Sequence, residues 1–197
     1  LTRVKLGIPV LATLSTVAGY ILAADGVGVE LILPLLGIFL LAVGSSALNQ
    51  VQDRNYDALM DRTKGRPIPA GVLSAREGFW MASSLVAVGM ALLVLTRNPV
   101  LVALGAFAVL WYNGVYTYLK RKTAFAVVPG AIIGSIPPVL GWVAGGGALL
   151  DMQILIVALF FFIWQIPHFW LLVMKYGKDY EKAGIPSMTQ VFDSEQL

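Results

Sequence analysis

Asn49, Asp53, Asp57 and Asp61 recur at every fourth position of one polar stretch, Asn-Gln-Val-Gln-Asp-Arg-Asn-Tyr-Asp-Ala-Leu-Met-Asp. On a helix this spacing makes a single slowly drifting stripe of side-chain oxygens. Like charges four residues apart repel by roughly 0.2–0.5 kcal/mol per pair, so such a row asks for a compensating cation. Mg²⁺ suits it, because that ion takes one or two carboxylates, shares substrate phosphates and keeps some of its water. Arg54 lies within the row, and Arg62, Lys64 and Arg66 follow directly. Acid to hold a metal beside base to hold phosphate is the composition of a diphosphate site. A solvated helix end, balanced locally by Arg54 and Arg62, would read the same by spacing alone. Two features favour the site: the row adjoins a knot of bases, and Asn49 sits at the edge of an apolar segment, where a polar group needs a functional or pairing reason.

Two other segments could share that chemistry. Lys120-Arg121-Lys122 follows Tyr116-Thr-Tyr118 and could bind phosphate oxygens, although a cationic membrane anchor with Tyr116 and Tyr118 in an aromatic belt is the simpler reading. The third, Trp164-Gln-Ile-Pro-His168-Phe-Trp, holds the sole histidine and leads to Lys175, Lys178, Asp179 and Glu181. His168 is either a packed core histidine or a substrate contact. Asp179 and Glu181 make a thinner acidic cluster, and two acidic clusters facing one cavity would suit two metal ions on one diphosphate.

The elements that must carry these residues are set by composition. Hydrophobic residues are 58% of the 197, charged residues only 13%, and mean hydropathy is +0.79. Soluble domains carry about 25% charged residues, so a soluble domain, a disordered tail and a nucleic-acid binder are disfavoured. Without cysteine there is no disulfide framework and no thiolate metal site. Apolar runs long enough for about 30 Å of hydrocarbon occur at Ile8–Ala24, Leu31–Leu48, Phe79–Leu95, Val100–Leu119, Ala124–Leu150 and Met152–Met174. The fifth carries Gly130, Gly134, Pro137 and Pro138, tolerated in lipid only where neighbouring helices satisfy the backbone, so it belongs inside a bundle. Of the 14 lysines and arginines, all but Arg97 fall on one side of this six-span alternation, with Arg3 and Lys5. That asymmetry puts the amino terminus and the charged loops in the cytoplasm of a cell-membrane protein. It also argues for a retained first helix over a cleaved signal peptide. Ser74 with Glu77 offers a capping box for the third span, and Gly65 and Pro67 stop the second helix.

Taken in order, Asn49-x-x-x-Asp53-x-x-x-Asp57 running into Asp61-Arg62-Thr63 and Arg66-Pro67, then Lys120 to Thr123, Pro137-Pro138-x-x-Gly141-Trp142, Pro167-His168-Phe169-Trp170 and Asp179-Tyr180-x-x-Ala183-Gly184-Ile185-Pro186 resemble the UbiA superfamily of intramembrane prenyltransferases, and within it the heme O synthase branch. The resemblance implies an all-α transmembrane bundle forming one domain over 1–197, a nine-span fold truncated after six. It implies Mg²⁺-dependent transfer of a farnesyl group from farnesyl diphosphate to a vinyl group of heme B. By the same resemblance Asn49, Asp53, Asp57 and Asp179 hold metal and diphosphate, and Arg62, Lys64, Arg66 and Lys120 neutralise phosphate. Arg54, Arg121, His168, Lys175 and Lys178 are further substrate-binding candidates, and Asp61 closes the acidic row. Two departures are visible: Ala126 stands where relatives often carry Asn, and Asp179-Tyr180-Glu181 replaces a spaced aspartate pair. An aromatic or quinone-precursor acceptor is the alternative within the superfamily. A transporter would explain broken helices and buried polar groups, but no inverted repeat is visible. An enzyme acting on CDP-linked lipids would want Asp-Gly followed by Ala-Arg, whereas Asp25-Gly26 leads into Val27-Gly28.

Overall fold

The computed structural model describes residues 7–24 and 26–186; Arg3, Lys5 and Asp25 lie outside them. Helices α1 (Gly7–Ala23), α2 (Ile32–Leu59), α3 (Ala75–Leu95), α4 (Pro99–Val109), α5 (Thr117–Leu119), α6 (Val127–Ala144), α7 (Met152–Lys175) and α8 (Gly177–Lys182) follow one another, and there is no strand among the described residues. Between α4 and α5 the chain winds as a π-helix, Leu110–Tyr116, so these three pieces form one continuous rod.

Among the described residues five helical rods are long and apolar enough to cross a membrane, and α1 is a shorter apolar helix of 17 residues. Many large apolar side chains, such as Ile8, Leu11, Trp80, Leu110 and Phe160, stay exposed, as a lipid-facing surface requires. This is an integral membrane protein. The expected capping box starts α3: Ser74 Oγ accepts from the Glu77 N–H at 3.2 Å, and Glu77 Oε2 accepts from the Ser74 N–H at 2.9 Å.

Helix α2 packs along α3, and α6 lies between α1 and α7. The broken fifth segment is the most enclosed of these five spans, about 50% buried against 6% for α7. Because apolar burial supplies little drive between helices in lipid, close approach and packing must hold them. At Gly141 a Cβ would fall 1.8 Å from the Thr16 carbonyl oxygen of α1, and at Gly19 one would fall 2.0 Å from that of Pro138. The core beneath the site joins Ile38 and Leu41 of α2, Leu93, Leu101, and Ile136, Leu140 and Val143 of α6.

Helix α2 has 28 residues, about 42 Å at 1.5 Å per residue. That exceeds the hydrocarbon by roughly 12 Å, or eight residues. The helix is thus longer than the hydrocarbon is thick, and its charged residues, Asp53 and Asp57 among them, fall in its last two turns.

Candidate functional site

The run-on of α2 puts Asn49, Asp53 and Asp57 on one face, and all three are buried, at 8, 5 and 2% exposure. That answers the choice left open by spacing: this is not a solvated helix end. The row stops at Asp57. Met60 adopts an extended conformation and the Thr63 hydroxyl donates to the Asp57 carbonyl oxygen at 3.0 Å, ending the helix before Gly65 and Pro67 are reached. Asp61, expected as the fourth member, therefore leaves the stripe. It is solvent-exposed and binds Lys64 at 2.7 Å and Lys182 at 2.6 Å. These two ammonium groups hold its carboxyl down to about 2.

The bases that balance the buried row are not Arg54 and Arg62. Asp57 pairs with Arg66 at 2.5 Å, while Asp53 pairs with Lys120 and, at 2.9 Å, with Arg121. Arg121 also donates to the Gln52 carbonyl at 2.9 Å and lies against the Tyr56 and Tyr118 rings, 4.9 and 5.1 Å from their centroids. Arg54 is exposed and donates to the carbonyl of Val51 on its own helix.

Beside this row lies a cavity of about 430 Å³. Its polar wall includes Ser46, Asn49, Arg62, Arg66, Lys120 and Thr123, and its less polar wall includes Tyr112, Tyr116, Phe169, Leu172, Tyr176 and Tyr180. Asp53 and Asp57 reach it through Lys120 and Arg66, their partners and its lining. Tyr116, expected as an interfacial anchor, is instead a cavity wall, stacked on Tyr112 with centroids 5.8 Å apart; Tyr118 remains exposed as an anchor would. The Arg62 guanidinium sits over the Tyr176 ring at 4.9 Å. Burial raises the Tyr180 phenol above its ordinary value.

Asp179 is brought to the site's edge: its Oδ2 accepts from the Arg62 N–H at 3.1 Å, tying α8 to the loop after α2. Met60, Ala183 and Ile185 bury together beneath that junction. Lys64, Lys175, Lys178 and His168 are exposed and do not line the cavity. His168 stacks on Trp164, with centroids 5.0 Å apart, so the lone histidine is neither a packed core residue nor a cavity wall.

The residues that sequence reasoning passed over are those tying the π-helix to α2. Asn113 donates to the Ser45 carbonyl at 3.0 Å and to Gln52 Oε1 at 3.1 Å; Gln52 returns a bond to the Asn113 carbonyl at 3.0 Å. Asn49 Nδ2 donates to Thr117 Oγ1 at 2.9 Å. These partners stand more than 60 residues apart in the chain, and no local pattern marks them.

Among the described residues no three His, Asp or Glu side chains cluster into a self-sufficient metal cage. The oxygen set still fits Mg²⁺, which needs only one or two protein carboxylates when phosphates and water complete its shell. Asp53 and Asp57 would be the carboxylates to supply those once released from their cations, with Asn49 beside them on the same face.

The sequence profile of the UbiA prenyltransferase family matches residues 12–196. A protoheme IX farnesyltransferase of Geobacter sulfurreducens is 46% identical over 179 residues, covering 89% of this chain and 65% of its own length. Another from Oleidesulfovibrio alaskensis is 40% identical, covering 89% of this chain and 62% of its own. The chain thus spans less than two thirds of these curated relatives. Among solved structures, one from work on digeranylgeranylglyceryl phosphate synthase covers 98% of this chain and 67% of its own, with TM-score 0.77 and 18% identity. A UbiA homologue from Archaeoglobus fulgidus bound to GPP and Mg²⁺ covers 96% and 66%, with TM-score 0.72 and 20% identity. At these identities the structural likeness shows the fold.

Proposed function

From the premise that this chain belongs to the UbiA prenyltransferase family, we propose that it is the greater part of a membrane enzyme that transfers a farnesyl group from farnesyl diphosphate to a vinyl group of heme B. The observation carrying the reading is the buried Asn49–Asp53–Asp57 face, whose carboxylates are held by cations that themselves line a cavity with aromatic walls. The acceptor rests on the names of the 40–46% identical relatives. An aromatic acceptor is the competing outcome.

Arg66, Lys120 and Arg62 line the cavity and are suited to take the diphosphate oxygens, since charge-assisted bonds are the strong ones. Asp53 and Asp57 would then be free to hold Mg²⁺ with Asn49; when bound, that ion neutralises charge gathering on the leaving diphosphate. The C–O bond of the allylic diphosphate breaks and diphosphate leaves with the electron pair, the vinyl π electrons form the new C–C bond, and the cation left on the carbon beside the porphyrin ring takes up water and loses a proton to give the hydroxyl of the product. Tyr112, Tyr116 and Phe169 shield the isoprenoid chain from water, and the electron-rich faces of their rings favour positive charge. Asp179, through the Arg62 N–H, holds the loop over the polar end. By the positive-inside rule the charged loops that build this end face the cytoplasm. Asp61, Arg54, Lys64, Lys175, Lys178 and His168 do not line the cavity, and the proposal assigns them no step.

Supplying the detergent-purified protein with farnesyl diphosphate, heme B and Mg²⁺, beside 4-hydroxybenzoate, tests the proposal by mass spectrometry. We expect heme O and diphosphate; a prenylated benzoate, or no product without loss of fold, would overturn it.

A further inference from the structure

Asn49 is useful to a metal by one end only. Hard cations take oxygen, whereas the amide nitrogen carries two N–H donors and repels them. Something must decide which end of that amide meets the cavity. Thr117 is fully buried, and its hydroxyl is already committed: it donates to the Tyr112 carbonyl oxygen at 2.8 Å, across the π-helical turn. A hydroxyl whose hydrogen is spent can only accept from its other side. The group meeting it is Asn49 Nδ2, at 2.9 Å, so the donor end of the amide is fixed on Thr117 and the oxygen end is left to the cavity that Asn49 lines.

The π-helix is what makes this possible. Its wider turn leaves Tyr112 as the acceptor of both the Thr117 N–H and the Thr117 hydroxyl, and π turns in helices are frequent at functional sites. Asn113 in the same turn is locked to α2 through Ser45 and Gln52, which holds the register in which residue 117 faces residue 49. We propose that Thr117 is a positioning residue that sets the polarity of the Asn49 amide, and through it the affinity of the site for Mg²⁺. This deepens the metal site of the proposed function and rests on that reading.

The test is a Mn²⁺ titration of the purified protein with inorganic diphosphate, read by electron paramagnetic resonance, with each variant's melting temperature measured alongside. Removing a residue that orients a metal ligand typically costs 10–100-fold in metal affinity, so Thr117→Val should weaken Mn²⁺ by about 10-fold or more. Thr117→Ser keeps the hydroxyl and should bind within about twofold of wild type. A carboxylate has no wrong end, so in an Asn49→Asp background Thr117→Val should cost no further affinity, a coupling that a double-mutant cycle reads directly. Unchanged Mn²⁺ affinity in folded Thr117→Val, or an equal loss in both backgrounds, overturns the inference. If Asp53→Asn also binds Mn²⁺ like wild type, the metal site itself is wrong; if only that variant loses Mn²⁺, the site stands and the role of Thr117 falls.

Discussion

Replacing Arg66 by Ala should expose what the buried acidic row costs the protein before any substrate arrives. The Asp57 side chain is 3% exposed, and Arg66, at 19%, is the one cation paired with it among the described residues. Removing one partner of a buried pair costs about 3–5 kcal/mol, because a desolvated charge is left behind. Water in the adjoining cavity softens that penalty, so the lower end, about 3 kcal/mol, is expected. At roughly 2–4 °C per kcal/mol for a chain of this size, the melting temperature should fall by about 6–12 °C. Tryptophan fluorescence in detergent without ligand measures it, with Arg54→Ala as the control, since Arg54 is exposed and pairs with no carboxylate among the described residues. Adding Asp57→Asn to Arg66→Ala should recover much of the loss, since the stranded charge is gone. A melting temperature for Arg66→Ala equal to that of Arg54→Ala would refute the reasoning: Asp57 would then be hydrated, not buried.

Other outcomes follow from neighbouring features. Asp61 is held down to about 2 from an ordinary 3.8, so its contact with Lys182 contributes fully above the ordinary value and is lost as pH falls through about 2; a carbon NMR titration should find that midpoint, and Asp61→Asn should speed backbone hydrogen exchange in α8. Gly141→Ala drives a methyl into the Thr16 carbonyl and should destabilise by about 2–3 kcal/mol, whereas Gly114→Ala, with nothing within 4 Å, should change stability by less than about 0.5 kcal/mol; thermal melts compare them. Lys120→Ala should raise the KM for farnesyl diphosphate more than tenfold, as a charged hydrogen bond worth about 1.5–3 kcal/mol is lost, while His168→Ala should leave it unchanged, in a steady-state assay.

Hydropathy and charge placement make the bundle legible, because lipid forces backbone groups into helices and apolar side chains outward. The row from Asn49 to Asp57 is legible because its four-residue spacing stays close to the 3.6-residue turn of the helix that continues through it. Where the helix stops is not. Gly65 and Pro67 look like the terminators, yet the Thr63 hydroxyl and an extended Met60 end it first, and Asp61 is carried off to Lys182. Charge balance is misread locally as well, since the cations on Asp53 come from residues 120 and 121. Tyr116 reads as a belt residue until the π-helix turns it onto Tyr112. The partners of Asp53 and Asp61 come from distant segments, which spacing along the chain does not encode, while the helix end at Met60 and the Tyr112–Tyr116 stack are local and follow from backbone conformations that residue type alone does not specify.

Anomalous diffraction from crystals grown with Mn²⁺ and an unreactive farnesyl thiodiphosphate would bear most directly on the site. We expect manganese against Asp53, Asp57 and the Asn49 amide oxygen, with Lys120 and Arg66 turned from the carboxylates onto phosphate oxygens. Manganese bound elsewhere, with Asp53 and Asp57 still paired to Lys120 and Arg66, would contradict the assignment.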